Sequence, residues 1–233
     1  PEYSRENVSG TIVGFWTPEI FHGVSVAGYH LHFISDDLTF GVGNATREAL
    51  TRGYGLSDEY SNGNGSLMRI LPLAFTEASP SDIEAVSSIT HAHATSVEAC
   101  QLYVAIARRL LKGQQLPEIL SGLDTSTTYA RLQTLAELTA DDIRSTGYVV
   151  DTLEAALWAI SHVEENEEND ERIGLISKDY ANDVLAAVNL GEDTDTVGAV
   201  AGGLAAIIHG LGYKGEQWLE RLRNKELILE CLW

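Results

Sequence analysis

The densest cluster of potential chemistry is Gly191-Glu192-Asp193-Thr194-Asp195-Thr196, which runs into the uncharged stretch Val197-Gly198-Ala199-Val200-Ala201-Gly202-Gly203. Asp193, Asp195 and Thr196 offer two carboxylates and a hydroxyl where a loop enters a helix. Hard oxygen donors of this kind suit magnesium or manganese. Gly198, Gly202 and Gly203 let that helix approach its neighbours closely, which puts the loop in a tight interior. Aspartate and threonine are also favoured N-caps, so plain capping competes with metal binding as the reason for these residues.

A second cluster is Ser61-Asn62-Gly63-Asn64-Gly65-Ser66-Leu67-Met68-Arg69. Its glycines permit close backbone approach to a ligand, Asn64 and Ser66 carry exposed polar groups in this reading, and Arg69 can meet a phosphate or carboxylate. An Asn/Gly turn ahead of a helix is the equal alternative. His91 and His93, in Thr90-His91-Ala92-His93, stand two apart, and at a helix end such a pair shares no face. One ring is therefore expected to contact a ligand and the other to pack or cap. His30 and His32, in Tyr29-His30-Leu31-His32, share a face if they lie on a strand, where they could converge on zinc. Two imidazoles do not complete a zinc site, and strand surface is the commoner role.

The elements that carry these groups change character near residue 41. Before it, GTIVGFW (10–16) and GYHLHFI (28–34) are β-branched and aromatic, as strands are. After it, apolar residues recur at helical spacing, and residues 44–233 are expected to form one α-helical domain. Ser79-Pro80-Ser81-Asp82 has a capping-box pattern, and another helix starts at Thr95-Ser96-Val97-Glu98 and stops at Gly113. Further helices are expected from Pro117, from Ala130, over 150–162, 180–189, 196–209, 217–222 and 225–232. The acidic run at 164–171 reads as a surface loop.

The chain has 233 residues, 34 acidic against 15 basic, for a net charge of −19. This argues against binding bulk nucleic acid or anionic membranes, which need basic surface. With 44% hydrophobic residues a sizeable core is attainable. Two cysteines, Cys100 and Cys231, allow neither a disulfide scaffold nor a cysteine-rich zinc site, so a reducing, cytoplasmic setting is expected. No stretch is long and apolar enough to span a membrane, and PEYSREN is no signal peptide. The only methionine is Met68, so the chain reads as processed or as a fragment of something longer.

Residues 41–233 resemble the ADP-ribosylglycohydrolase family of the dinitrogenase-reductase-activating type. The resemblance is carried by GNATREAL (43–50), NGNGSLMRILPLA (62–74), SSITHAHATSVEAC (87–100), GYVVDTLEAALWA (147–159), AAVNLGEDTDTVGAVAGGLA (186–205) and WLERLRNKELI (218–228), in family order. It implies an all-α, multi-helical domain that holds two magnesium ions, with manganese as a substitute. It puts the catalytic pair Asp193 and Asp195, with Thr196, on the C-terminal half of the metal site. Asn64, Gly65 and Ser66 fall in the ligand-contacting loop, and His91 and Tyr148 near the ADP-ribose pocket. The family's N-terminal Thr-Asp-Asp-Thr element does not stand in this chain; in Ser35-Asp36-Asp37, the nearest substitute, Asp36 and Asp37 are the candidate metal ligands.

Residues 1–40 resemble a different family, the α-acetolactate decarboxylases, through ENVSGTIVGFWTPEIFHGVSVAGYHLHFISDDLTFG. That family's zinc site adds a third histidine eleven residues after its H-x-H pair. Here that position is Gly43, so zinc at His30 and His32 is not expected. The resemblances together imply metal-dependent hydrolysis of the glycosidic bond of an ADP-ribosylated protein or small molecule. A protein that binds ADP-ribose without cleaving it, a zinc-dependent decarboxylase and a purely structural helical protein are the alternatives.

Overall fold

The computed structural model describes residues 9–17, 28–35, 43–162 and 179–221. Strands β1 (Gly10–Thr17) and β2 (Gly28–Ser35) pair antiparallel, one residue longer at the end of each than the sequence pattern gives. In this register His30 stands opposite Phe15 and His32 opposite Val13. Asp36 and Asp37, the acidic run at 164–171 and the helix expected over 225–232 lie outside the described residues.

The rest is helical, as the 3.6-residue patterning requires. The α-helices are α1 (Asn44–Arg52), α2 (Leu67–Ile70), α3 (Pro80–Ser88), α4 (Ala94–Leu111), α5 (Leu116–Ser121), α6 (Val149–His162), α7 (Tyr180–Val188), α8 (Thr194–His209) and α9 (Gly212–Arg221). Helix α3 has both arms of the Ser79–Asp82 capping box. Helix α4 begins one residue before the expected start, because the His93 ring accepts from Thr95 N–H and acts as its N-cap. It ends with Arg108 and Arg109 in its last turn and Gly113 at φ +80°. Two expectations need correction. The short helix expected over 217–222 already begins at Gly212. The helix anticipated from Ala130 is a 3-10 segment over Thr127–Glu137, broken at Thr134 (φ −119°, ψ 17°).

Helices α4, α6 and α8 contribute most of the core. Helix α6 buries Leu153, Ala155, Ala156, Leu157 and Ala159 completely, and α8 buries Val197, Ala201, Leu204 and Ala205. Small side chains bring α8 close to its neighbours, as expected. A Cβ on Gly198 would lie 3.0 Å from Val188, and one on Gly203 would lie 2.5 Å from Leu71 and 2.8 Å from Tyr103 Oη. Tyr103 Oη donates to the Val200 carbonyl at 2.8 Å and so ties α4 to α8. No helix among the described residues is long and apolar enough to cross a membrane.

Candidate functional site

The turn between α7 and α8 is wound through two consecutive left-handed residues, Gly191 (φ 89°) and Glu192 (φ 50°). A side-chain-bearing residue resists this conformation, and Ser145 holds it in place. Ser145 N–H donates to Glu192 Oε2 at 3.0 Å, Ser145 Oγ donates to the Gly191 carbonyl at 3.0 Å, and Asp193 N–H donates to the Ser145 carbonyl at 3.0 Å. The loop ahead of α6 therefore fixes where α8 begins.

Asp193 occupies the N-cap position of α8, yet its side chain makes no capping bond. Its carboxylate instead accepts from Asn64 Nδ2 at 2.7 Å on Oδ2 and from Thr196 Oγ1 at 3.1 Å on Oδ1. Capping therefore does not account for this aspartate. Each oxygen keeps a lone pair beyond its one neutral donor. A Cβ on Gly147 would lie 3.4 Å from Oδ2, so this glycine sits in van der Waals reach of the carboxylate. Asp195 is exposed, Thr196 is buried, and the Thr194 hydroxyl in the same turn is buried with no hydrogen-bond partner among the described residues.

The glycine-rich loop is pinned across from this turn. Asn64 N–H donates to the Gly147 carbonyl at 3.1 Å and Val149 N–H to the Asn62 carbonyl at 3.0 Å, which pairs Gly63 with Tyr148. Tyr148 is 42% exposed beside the loop. Partial burial, with Asp151 and Glu59 nearby, raises its phenol above the ordinary range. Beneath the loop lies His91, 2% exposed. A Cβ on Gly65 would come within 2.9 Å of the His91 ring and 3.1 Å of Thr46 Oγ1, so only glycine fits over it.

Two expectations change here. The Arg69 guanidinium donates to the Gly65 carbonyl at 2.8 Å and to Thr90 Oγ1 at 2.7 Å, with the Val86 and Ser87 carbonyls at 3.2 and 3.3 Å. It clamps the loop from below rather than meeting an anion. Ser66 is fully buried rather than exposed, and its hydroxyl accepts from Cys100 Sγ at 3.5 Å. The side chain points into the core because the chain turns into α2 at this residue.

Thr90 Oγ1 also meets His91 Nδ1 at 2.7 Å. Arg69 can only donate to Thr90, so the Thr90 proton is free to go to Nδ1. That arrangement places the His91 proton on Nε2; with the proton on Nδ1 instead, Thr90 Oγ1 accepts from both Arg69 and His91. Burial and the neighbouring Arg69 charge lower the imidazole to about 4, so it is neutral near pH 7.

Among the described residues no three His, Cys, Asp or Glu side chains converge as a metal site. Asp193, Asp195 and Thr196 offer only oxygen donors, the chemistry that a hard cation takes. Thr152, Ser145 and Glu192 were not singled out from sequence, although a threonine inside the apolar face of α6 was a usable signal.

The profile of the ADP-ribosylglycohydrolase family matches residues 13–232 and so begins inside the strand-rich N-terminal stretch. The chain is similar to the ADP-ribosylarginine hydrolase Tri1 of Pseudomonas putida (strain GB-1), with 35% identity over 199 residues, 78% of this chain and 50% of that protein. It thus spans about half the length of the curated hydrolases it matches. A segment of 41 residues is 83% identical to the α-acetolactate decarboxylase of Lactococcus lactis subsp. lactis (strain IL1403), covering 18% of this chain and 17% of that protein. A solved ADP-ribosylglycohydrolase-related protein complex contains a chain with 31% identity and a TM-score of 0.59, covering 79% of this chain and 65% of its own length.

Proposed function

This chain belongs to the ADP-ribosylglycohydrolase family, and from that premise we propose that it hydrolyses ADP-ribose conjugates at the anomeric carbon of the ribose. The breaking bond develops oxocarbenium character, so a water must be held beside the ribose and relieved of a proton as it attacks. A magnesium ion, when bound, orients ribose hydroxyls and lowers the pKa of its water. Asp193, Asp195 and Thr196 would hold the ion, with Asp36 and Asp37 as the candidate partners from the other side.

The protein's own groups do the rest. Asn64 and Thr196 fix the Asp193 carboxylate through neutral hydrogen bonds, so these bonds do not neutralise its charge. Gly65 lets the loop lie directly over the His91 ring, and the exposed Tyr148 ring beside it offers a surface for the ribose. A chain of net charge −19 repels a pyrophosphate, so backbone N–H groups and a cation must offset that repulsion. Zinc at His30 and His32 has no part in this reading.

The observation that carries the proposal is Asp193, an N-cap residue that does no capping and whose carboxylate is aimed by Asn64 from the glycine-rich loop and by Thr196 from its own helix. Arginine is the first linkage to test, because the Pseudomonas putida relative is named for it. The purified chain is expected to release ADP-ribose from ADP-ribosylarginine with magnesium present, and Asp193→Asn to abolish release. Tight binding of free ADP-ribose without release by the unaltered chain would leave the non-catalytic reading in its place.

A further inference from the structure

We infer that Thr152 is a positioning residue that acts through the Asn64 amide to set the direction of the Asp193 carboxylate. The inference rests on the proposed metal-dependent hydrolysis at Asp193.

Thr152 lies on α6 and is fully buried. Its Oγ1 is 3.0 Å from the Thr146 carbonyl and 3.2 Å from that of Tyr148. A hydroxyl has one proton, and both of these neighbours can only accept it. The lone-pair side of Oγ1 therefore faces Asn64 Nδ2, 2.9 Å away. Thr152 can only accept there. The ionised Asp193 can also only accept, and its Oδ2 is 2.7 Å from the same nitrogen.

An amide nitrogen carries two N–H groups, and these two acceptors use both. A flipped amide would set its oxygen against a carboxylate oxygen and a hydroxyl lone pair. Asp193 and Thr152 thus both demand the NH₂ end of Asn64, and Thr152 takes the second N–H and so fixes the direction of the first. Residues 88 and 129 positions downstream of Asn64 are joined through one nitrogen, which links α6 to the start of α8. Thr196 holds the other carboxylate oxygen at 3.1 Å, so the carboxylate plane is fixed from both sides. Asn64, read from sequence as a ligand contact, has spent both N–H groups inside the protein and retains only its oxygen for a ligand.

A threonine that merely bonded its own helix would not influence a cation at Asp193. The whole chain is therefore titrated with magnesium chloride alone, by calorimetry and by thermal unfolding, as wild type, Thr152→Val and Thr152→Ser. Outer partners of metal ligands typically govern affinity by about 10- to 100-fold. The valine variant is expected to lose magnesium affinity in that range while its metal-free melting temperature stays within a few degrees of wild type. Serine, which keeps the hydroxyl, is expected to restore binding. Unchanged magnesium affinity in the valine variant overturns the inference and leaves the proposed function standing. Failure of the wild type to bind magnesium removes both. If the valine variant does not fold, Asn64→Ala cuts the same link at a partly exposed position, and unchanged affinity there overturns the inference equally.

Discussion

Asp193 and His91 show how far the surroundings of a residue redefine its type. An aspartate before a helix is ordinarily a cap worth about 1 kcal/mol, but Asp193 has no capping bond to lose. Asp193→Asn is therefore expected to unfold within about 1 kcal/mol of wild type in urea, since its amide oxygen still accepts from Asn64. The same variant is expected to lose any magnesium-dependent rise in melting temperature. An equal magnesium shift in both proteins would put the ion elsewhere. His91 predicts a pH effect. Its folded value of about 4 lies below the ordinary 6.5, so between these values the unfolded chain binds more protons. The contribution of a neutral His91 is complete above about 6.5 and is lost as pH falls towards 4. Urea titrations at pH 7.0 and 5.0 should show wild type losing more stability than His91→Asn. Parallel losses would remove His91 as the cause.

At the scale of elements, helix α8 carries the site because its small residues let it sit against α4 and α7. A methyl group on Gly203 would press on Leu71 at 2.5 Å and on Tyr103 Oη at 2.8 Å. Leu71 can rotate away, but Tyr103 is buried and anchored on the Val200 carbonyl. Gly203→Ala should therefore cost about 1–3 kcal/mol from overpacking, against about 1 kcal/mol regained in helix propensity. Chemical denaturation measures the balance, and a more stable variant would show that α8 has room to move. The capping box of α3 and the stop at Gly113 were legible in the sequence because caps act over three or four residues. The 3-10 segment at Thr127–Glu137 was not, because local propensity separates the two helix types poorly.

For the whole molecule the dominant property is a net charge of −19. Self-repulsion on this scale opposes the compact state and is screened by salt over about 8–10 Å near physiological strength. The melting temperature should rise between low and physiological sodium chloride in differential scanning calorimetry. A fall would mean that ion pairs such as Arg131–Glu154 (3.1 Å) outweigh the repulsion. The charge, the helical class and the positions of the motifs were set by the sequence alone, because they depend on composition and on periodicity within a few turns. The tertiary structure decided what each polar group faces. Arg69 offers the same guanidinium in either reading, and only the fold spends its donors on Gly65 and Thr90. Ser66 and Asn64 are two residues apart in one loop, yet one is sealed in the core and the other reaches Asp193 across 129 residues. No local rule reaches that distance. Such contacts exist only once α4, α6 and α8 have packed and fixed the loops at their ends.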